Sequence, residues 1–122
     1  MTSDQRHALG RLGEELAARH YERLGHQVVA RRHRTRFGEL DLVTSDGDTL
    51  VFVEVKTRRA GPTSPYEALG ESKRAQVRRM AAAYLHDERD RPFFTAIRFD
   101  AVAVTVDAGG QLVAIEQLEG AF

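Results

Sequence analysis

The sequence GELDLVTSDGDTLVFVEVKT, residues 38–57, decides the fold of this chain. Polar and apolar side chains alternate on both sides of its Ser45-Asp46-Gly47-Asp48 segment, which is typical of a turn between two antiparallel strands. The pattern predicts a β-hairpin with strands over residues 39–44 and 49–57. The valines of the second strand would face a core, whereas Glu54 and Lys56 would lie together on the opposite side.

Helical and strand patterns flank this hairpin. Apolar residues three and four apart predict a helix over residues 3–24, with Ser3 as its N-cap and Gly25 at its end. Residues 27–32 predict a strand that runs into an arginine-rich loop ending at Gly38. The remaining elements are a loop over residues 58–72, with or without a helical turn at 66–69, a helix over 72–86, and strands over 97–106 and 111–118.

This order of elements, α-β-β-β-α-β-β, predicts an α/β fold in which helices flank one mixed sheet. The chain has 122 residues, 42% hydrophobic and 30% charged, so we expect a single domain spanning residues 1–122. It contains no cysteine, which excludes disulfides, zinc–thiolate sites, iron–sulfur clusters and thiol nucleophiles. Without an apolar run of about twenty residues or a signal-peptide pattern, we expect no membrane partner and a cytoplasmic location.

Positive charge is unevenly distributed although the net charge is zero. All 18 Lys and Arg lie in residues 1–98, and residues 99–122 carry four acids and no base. Guanidinium groups match phosphate oxygens with paired donors, although any single cluster is more typical of a solvated surface. The clusters are Arg31, Arg32, Arg34 and Arg36, then Lys56, Arg58 and Arg59, and finally Lys73, Arg74, Arg78 and Arg79.

The register of the hairpin determines which polar side chains meet. A two-residue turn at Asp46-Gly47 and a four-residue loop over residues 45–48 both pair Asp41 with Phe52 and Glu39 with Glu54. Asp41 then lies diagonally beside Glu54, on the face that carries Lys56.

Facing carboxylates repel each other, so this arrangement is unfavourable unless a cation lies between them. Mg²⁺ is bound through one or two carboxylates, waters and phosphate oxygens, and it can activate a water to attack a phosphate. Lys56 would then orient that water or stabilise charge on the phosphate. The alternative is an ordinary half-exposed hairpin in which Lys56 neutralises Glu54 at little energetic consequence. The residues alone leave both interpretations open.

Asp41 followed by Glu54-Val55-Lys56 resembles the D…(D/E)xK motif of the restriction-endonuclease-like nucleases. The chain as a whole resembles the YraN family of small bacterial proteins, which is similar to archaeal Holliday-junction resolvases. The matching blocks are Gly13-Glu14, residues 38–42, residues 51–58, Lys73 and residues 98–100.

This resemblance implies a restriction-endonuclease-like core and a metal-dependent DNA endonuclease, acting on branched or Holliday-junction DNA in repair or recombination. Asp41, Glu54 and Glu14 would hold Mg²⁺ or Mn²⁺, the Val55 main-chain carbonyl would be a further ligand, and Lys56 would be the catalytic lysine. A symmetric homodimer would suit paired strand cuts. The residues expected to bind phosphates are Arg31, Arg32, Arg34, Arg36, Arg58, Arg59, Lys73, Arg74 and Arg78.

Each of these expectations has an alternative. The whole chain could be a non-catalytic nucleic-acid-binding or protein-interaction module that retains a nuclease-like fold. Without the resemblance, Glu14 is an exposed helical acid paired with Arg11 or facing solvent. Glu39 shares the face of Asp41, where it would either support that acid or hold an arginine.

Overall fold

In the part of the chain that the structure describes, five strands form one sheet and a helix packs on each of its faces. The computed structural model describes residues 2–61 and 70–122. The elements are α1 (Ser3–Arg23), β1 (Gln27–Thr35), β2 (Gly38–Asp46), β3 (Thr49–Arg59), α2 (Glu71–Asp87), β4 (Ala96–Val106) and β5 (Leu112–Leu118). The predicted order and the predicted α/β fold class are confirmed. The helical turn considered at residues 66–69 lies outside the described residues.

The strands lie in the sheet in chain order, β1-β2-β3-β4-β5. Neighbours are antiparallel except β3 and β4, which run parallel along their whole length. Parallel strands need a crossover connection, and α2 lies within it. The sheet is therefore mixed, as predicted, and its central strand β3 carries Glu54 and Lys56.

Alternation along β3 separates two apolar cores. Val51 and Val53 pack on the α1 side of the sheet, and Leu50 and Phe52 pack on the α2 side. Because both faces of this strand are covered, Glu54 is a buried carboxylate that follows four buried apolar residues, Leu50 to Val53. Within the described residues, no helix combines the length and the apolar character needed to cross a membrane.

The N-cap of α1 is Thr2, so the prediction of Ser3 is wrong. Thr2 Oγ1 accepts the Gln5 N–H at 3.1 Å, and the Gln5 side chain accepts the Thr2 N–H at 2.8 Å. This reciprocal capping box needs Gln or Glu three residues after the cap, a place that Arg6 holds relative to Ser3. At the other end, Gly25 follows the helix with φ of +92°, as predicted.

The turn between β2 and β3 differs from both predicted turns. It consists of Gly47 and Asp48, with Asp46 opposite Thr49. Gly47 has φ of +69°, a conformation that suits glycine at the first position of a tight hairpin turn.

This turn changes the predicted register by two residues. Phe52 lies opposite Val43 rather than Asp41, and the predicted pairing of Glu39 with Glu54 is also wrong. A change of two residues preserves the alternation of faces, because side chains repeat every second residue along a strand.

The arginine-rich loop predicted before Gly38 is wrong as well, because β1 continues to Thr35 opposite Gly38. Thr35 Oγ1 accepts the Phe37 N–H at 3.1 Å and donates to the Gly38 carbonyl at 2.8 Å, which closes a tight turn. Gly38 has φ of +132°, and a Cβ there would lie 2.7 Å from Gln76 Nε2. Arg34, which was predicted to lie in the loop, therefore lies on the same strand as Arg31 and Arg32.

Asp100 on β4 connects α1 to the C-terminal segment. Its buried carboxylate accepts hydrogen bonds from Arg98 Nε and Nη2 at 2.8 and 2.9 Å, and from the Tyr21 hydroxyl at 2.7 Å. Gln117 Nε2 and the Gly120 N–H also donate to it. Burial acts to raise the pKa of Asp100, but the hydrogen bonds from Arg98 and Tyr21 outweigh it and hold the pKa below its ordinary value.

Replacing Asp100 with Ala should lower the free energy of unfolding by about 3 kcal/mol, because Arg98 and the Tyr21 hydroxyl would lose their buried acceptor. Since the folded-state pKa is lowered, the stability from this group is present above about pH 4 and is lost as the pH falls through that lowered pKa. Urea denaturation at pH 7 and pH 3 measures both effects.

Glu119→Ala is the matched control, because Glu119 approaches the same arginine at 3.8 Å but is 65% exposed. It should change stability by less than about 0.5 kcal/mol. Equal losses in the two variants would contradict the assigned role of the buried network.

Candidate metal and nucleic-acid site

Strands β2 and β3 separate beside Asp41. Their backbone pairing ends with Leu42 opposite Val53. Beyond that pair, Asp41 Oδ2 accepts the N–H of Val55 at 2.8 Å. A side-chain carboxylate thus takes the place of a main-chain acceptor and is held at the opening between the strands.

A backbone distortion in β1 lies next to this opening. Arg32 has φ of +46°, in the left-handed region that residues other than glycine rarely adopt. Arg31 pairs with an acid of α1, whereas His33 packs edge-to-face on a tyrosine of α2. Their cross-strand partners, Leu42 and Leu40, likewise belong to the α1-side and α2-side cores. Residues two apart on a strand normally lie on the same face of the sheet. Arg31 and His33 lie on opposite faces, so the β1–β2 hairpin rotates between them.

Glu14 approaches the same opening from α1. The preceding Gly13 allows close contact with β3, because a Cβ there would lie 1.7 Å from Thr57 Oγ1. Glu14 and Asp41 line one small cavity of about 40 Å³. Burial and the charge of Asp41 raise the pKa of Glu14 to about 7, whereas the charge of Arg32 acts in the opposite direction. Glu14 is therefore not the exposed helical acid of the alternative interpretation.

Glu54 is buried, with only 9% of its side chain exposed. Its Oε1 lies 3.0 Å from Nζ of Lys73, in the first turn of α2. Burial and the charge of Glu54 raise the pKa of Asp41 to about 7, while the Val55 N–H acts to lower it. Carboxylates from three elements therefore lie close enough to affect one another.

The chemistry of these three acids fits a hard divalent cation. Glu14 Oε1 and Glu54 Oε2 are buried oxygens that accept no hydrogen bond from the described part of the chain, and a cation would satisfy them. Oxygen donors suit Mg²⁺ and Mn²⁺. Residues 2–61 and 70–122 contain no group of three or more acidic or histidine side chains already close enough together to hold a metal ion. Mg²⁺ does not need one, because it is usually held by one or two carboxylates and keeps several waters.

Two grooves meet at Glu14. The first, the β1 groove, has a volume of about 640 Å³ and is lined mainly by Arg6, His7, Arg11, Glu14, Arg32 and Arg34. The second, the β3 groove, has a volume of about 520 Å³ and is lined mainly by Arg6, Glu14, Lys56, Thr57, Arg58 and Arg59. Gly10 lines both grooves. An acidic centre with basic walls is the charge pattern expected of a site that binds phosphate through a cation.

Lys56 is exposed and lines the β3 groove together with Glu14. Within the described ranges it forms no ion pair, and Glu54 instead pairs with Lys73. The interpretation in which Lys56 merely neutralises Glu54 is therefore wrong, and the ammonium of Lys56 faces solvent beside the acids.

The residues predicted to bind phosphates fall into separate groups. Arg32, Arg34, Arg58 and Arg59 line the two grooves. Lys73 is committed to Glu54, and Arg31 and Arg74 pair with Glu15 and Glu71. Arg36 and Arg78 lie over the rings of Phe37 and Phe122. Glu39 lies 3.5 Å from Arg34, so of its two predicted roles it holds an arginine.

Three lining residues were missed by the sequence analysis: Arg6, His7 and Arg11. They lie one or two turns before Glu14 on α1, where positions 6, 10 and 14 share a helix face. Reading outward from Glu14 in steps of three and four residues, to positions 11, 10, 7 and 6, would have found this face.

Comparison with known proteins places the chain in a family. The model of "Uncharacterised protein family UPF0102", the YraN family, matches residues 13–104. The chain belongs to this family. It is 45% identical over 116 residues to a UPF0102 protein of Rhodococcus jostii, covering 94% of this chain and 96% of the relative. It is 41% identical over 121 residues to a UPF0102 protein of Pelotomaculum thermopropionicum, covering 98% and 99%. The resemblance inferred from the sequence blocks is thus confirmed at the level of the family.

Without divalent cations, the stability of this UPF0102 protein should fall as the pH rises from about 4 to 7. A carboxyl whose pKa is raised in the folded state binds more protons folded than unfolded, so its ionisation becomes unfavourable across that range. Asp41→Asn keeps an acceptor for the Val55 N–H but removes one such ionisation. The loss of free energy of unfolding between pH 5 and 8 should shrink by on the order of 2 kcal/mol in this variant.

Urea denaturation in EDTA at the two pH values measures this loss. Glu15→Gln is the control, because Glu15 pairs with Arg19 and Arg31 at the surface next to Glu14. It should leave the pH dependence unchanged. An Asp41→Asn variant with the same pH dependence as wild type would contradict the buried acid cluster.

Proposed function

We propose that the protein is a metal-dependent DNA endonuclease, a phosphodiesterase that acts on branched or four-way-junction DNA in the cytoplasm. The observation that carries the proposal is the electrostatic coupling of Glu14, Asp41 and Glu54 from three elements. Two of their buried oxygens accept no hydrogen bond from the described residues, and they lie between grooves lined by arginines. Membership in the YraN family is consistent with this assignment.

Asp41, Glu14 and Glu54 are the residues that would hold Mg²⁺ or Mn²⁺. Bound there, the ion would stabilise the negative charge that develops on the scissile phosphate. The hydrogen bond from the Val55 N–H orients Asp41 without occupying its second oxygen. Placing the carboxylates before the substrate arrives lowers the cost of organising them during the reaction.

Lys56 is the cation best placed to act on the substrate. Its ammonium lies at the wall of the β3 groove beside Glu14 and is not committed to an acid of the described chain. In this role it donates hydrogen bonds to a phosphate oxygen or orients the attacking water. Lys73 is not available for this role, because its ammonium is paired with Glu54 at 3.0 Å.

The arginines of the two grooves would bind the sugar–phosphate backbone. Contacts of this type depend on charge rather than on base identity, so the affinity should be independent of sequence and should fall steeply with salt. In a symmetric homodimer, two copies of the site would cut paired strands of a junction.

A non-catalytic nucleic-acid-binding or protein-interaction module is the second candidate. The Lys73–Glu54 ion pair favours it, because the ammonium already neutralises one of the three acids. In such a module the grooves would bind DNA, and the acid cluster would have only a structural role.

Cleavage of labelled duplex and four-way-junction DNA separates the candidates. Wild type should cut the junction with Mg²⁺ or Mn²⁺ and not in EDTA. Asp41→Ala should abolish cutting, and Lys56→Ala should reduce it by roughly a hundredfold, because each removes a charge that acts on the phosphate. Glu15→Ala is the control for Glu14→Ala, since the two acids are neighbours on α1 and Glu15 pairs with arginines.

Cleavage should be lost in the variants that remove an acid or the ammonium of the candidate site, and it should be kept in the Glu15→Ala control. Metal-dependent cutting that survives Asp41→Ala would exclude this site as its source. DNA binding without cutting under every metal condition, unchanged by the variants, would establish the module instead.

A further inference from the structure

Gly10 lies in the middle of α1 although the fold does not require glycine there. A helix-interior glycine lowers helix stability relative to alanine, because it gains backbone freedom in the unfolded chain. A Cβ added at Gly10 would meet no atom within 4 Å, and the residue does not have a positive φ. Neither packing nor backbone conformation therefore accounts for this residue.

Gly13, three residues later, is a glycine that the packing does require. Its Cβ would lie 1.7 Å from Thr57 Oγ1, so the contact between α1 and β3 requires glycine. The same helix thus carries one glycine that the fold needs and one that it does not.

Gly10 lies where the β1 groove and the β3 groove meet. It lines both of them, together with Arg6 and Glu14. On one side the wall carries Arg11, Arg32 and Arg34, with Glu39 paired to Arg34, and on the other it carries Lys56, Arg58 and Arg59. A side chain at position 10 would project into the passage between these two basic walls.

We propose that the phosphodiester backbone of bound DNA crosses α1 at Gly10, passing from the β1 groove to the β3 groove. The missing side chain lets the backbone come close to the helix, and the basic walls on both sides complement its charge. This inference rests on the DNA-binding part of the proposed function and not on cleavage. It assigns a contact to the N-terminal half of α1.

Two substitutions at Gly10 test the crossing point by opposite effects on stability and binding. Gly10→Ala should raise the melting temperature by about 4 °C, because it improves the helix without a clash. It should also weaken DNA binding by roughly threefold, and Gly10→Leu should weaken it by roughly tenfold, because contacts worth one or two hydrogen bonds are lost. Fluorescence anisotropy with labelled four-way-junction DNA in EDTA measures binding without cleavage.

Ala8→Leu is the matched control. Ala8 is exposed on the same helix and lines neither groove, so the same leucine side chain there should leave the affinity unchanged. Gly13→Ala should lower the melting temperature, which verifies that the assay distinguishes the two glycines.

The outcomes distinguish failure of the crossing point at Gly10 from failure of the proposed DNA-binding function. If wild type binds DNA and Gly10→Leu binds equally well, the crossing point is wrong while DNA binding stands. If Ala8→Leu weakens binding as much as Gly10→Leu, position 10 has no special role and the inference is also overturned. If wild type binds no DNA either in EDTA or with Mg²⁺, the proposed function fails and the inference fails with it.

Discussion

The hydrogen bond from the Val55 N–H to Asp41 is the interaction on which the candidate site depends. It forms where the backbone pairing of β2 and β3 stops, so it stabilises an opening in a sheet that would otherwise continue. An opening of this kind is costly, because unpaired main-chain groups must find other partners. Here a carboxylate supplies the partner, and in doing so it is fixed close to the buried Glu54.

The rest of the fold brings Glu14 to this opening. Gly13 lets α1 lie against Thr57, and Tyr21, two turns further along the helix, donates to the buried Asp100 of β4. The helix is thus held at both ends of its contact with the sheet. Helix α1 and the opening between β2 and β3 thus hold the side chains of Glu14, Asp41 and Glu54 in restricted positions. A site that binds a cation requires such restriction.

Local signals predicted much of this structure, and they failed where a second interaction competed with them. Alternation on both sides of residues 45–48 predicted the hairpin, and helical spacing predicted both helices. The cap was placed at Ser3 because serine favours that role, but only Thr2 has Gln5 at the reciprocal position. The turn was predicted at Asp46-Gly47 because that pair is a strong turn signal. In the structure the turn is Gly47-Asp48, and Gly47, the residue with positive φ, holds its first position. The arginines before Gly38 suggested a loop, although pairing with β2 extended the strand.

Residue type and spacing were enough to predict the order of elements, the family, and the presence of Asp41, Glu54 and Lys56 on neighbouring strands. Packing in three dimensions pairs Lys73 rather than Lys56 with Glu54, and it brings Arg6, His7 and Arg11 to the groove beside Glu14. The rotation of the β1–β2 hairpin at Arg32 is likewise visible only in the folded chain. These contacts join residues that are distant in the chain or depend on a rare backbone conformation. No local pattern encodes the Lys73 pairing or the rotation at Arg32, whereas the helical repeat places Arg6, His7 and Arg11 near the face of Glu14 without showing which groove they line.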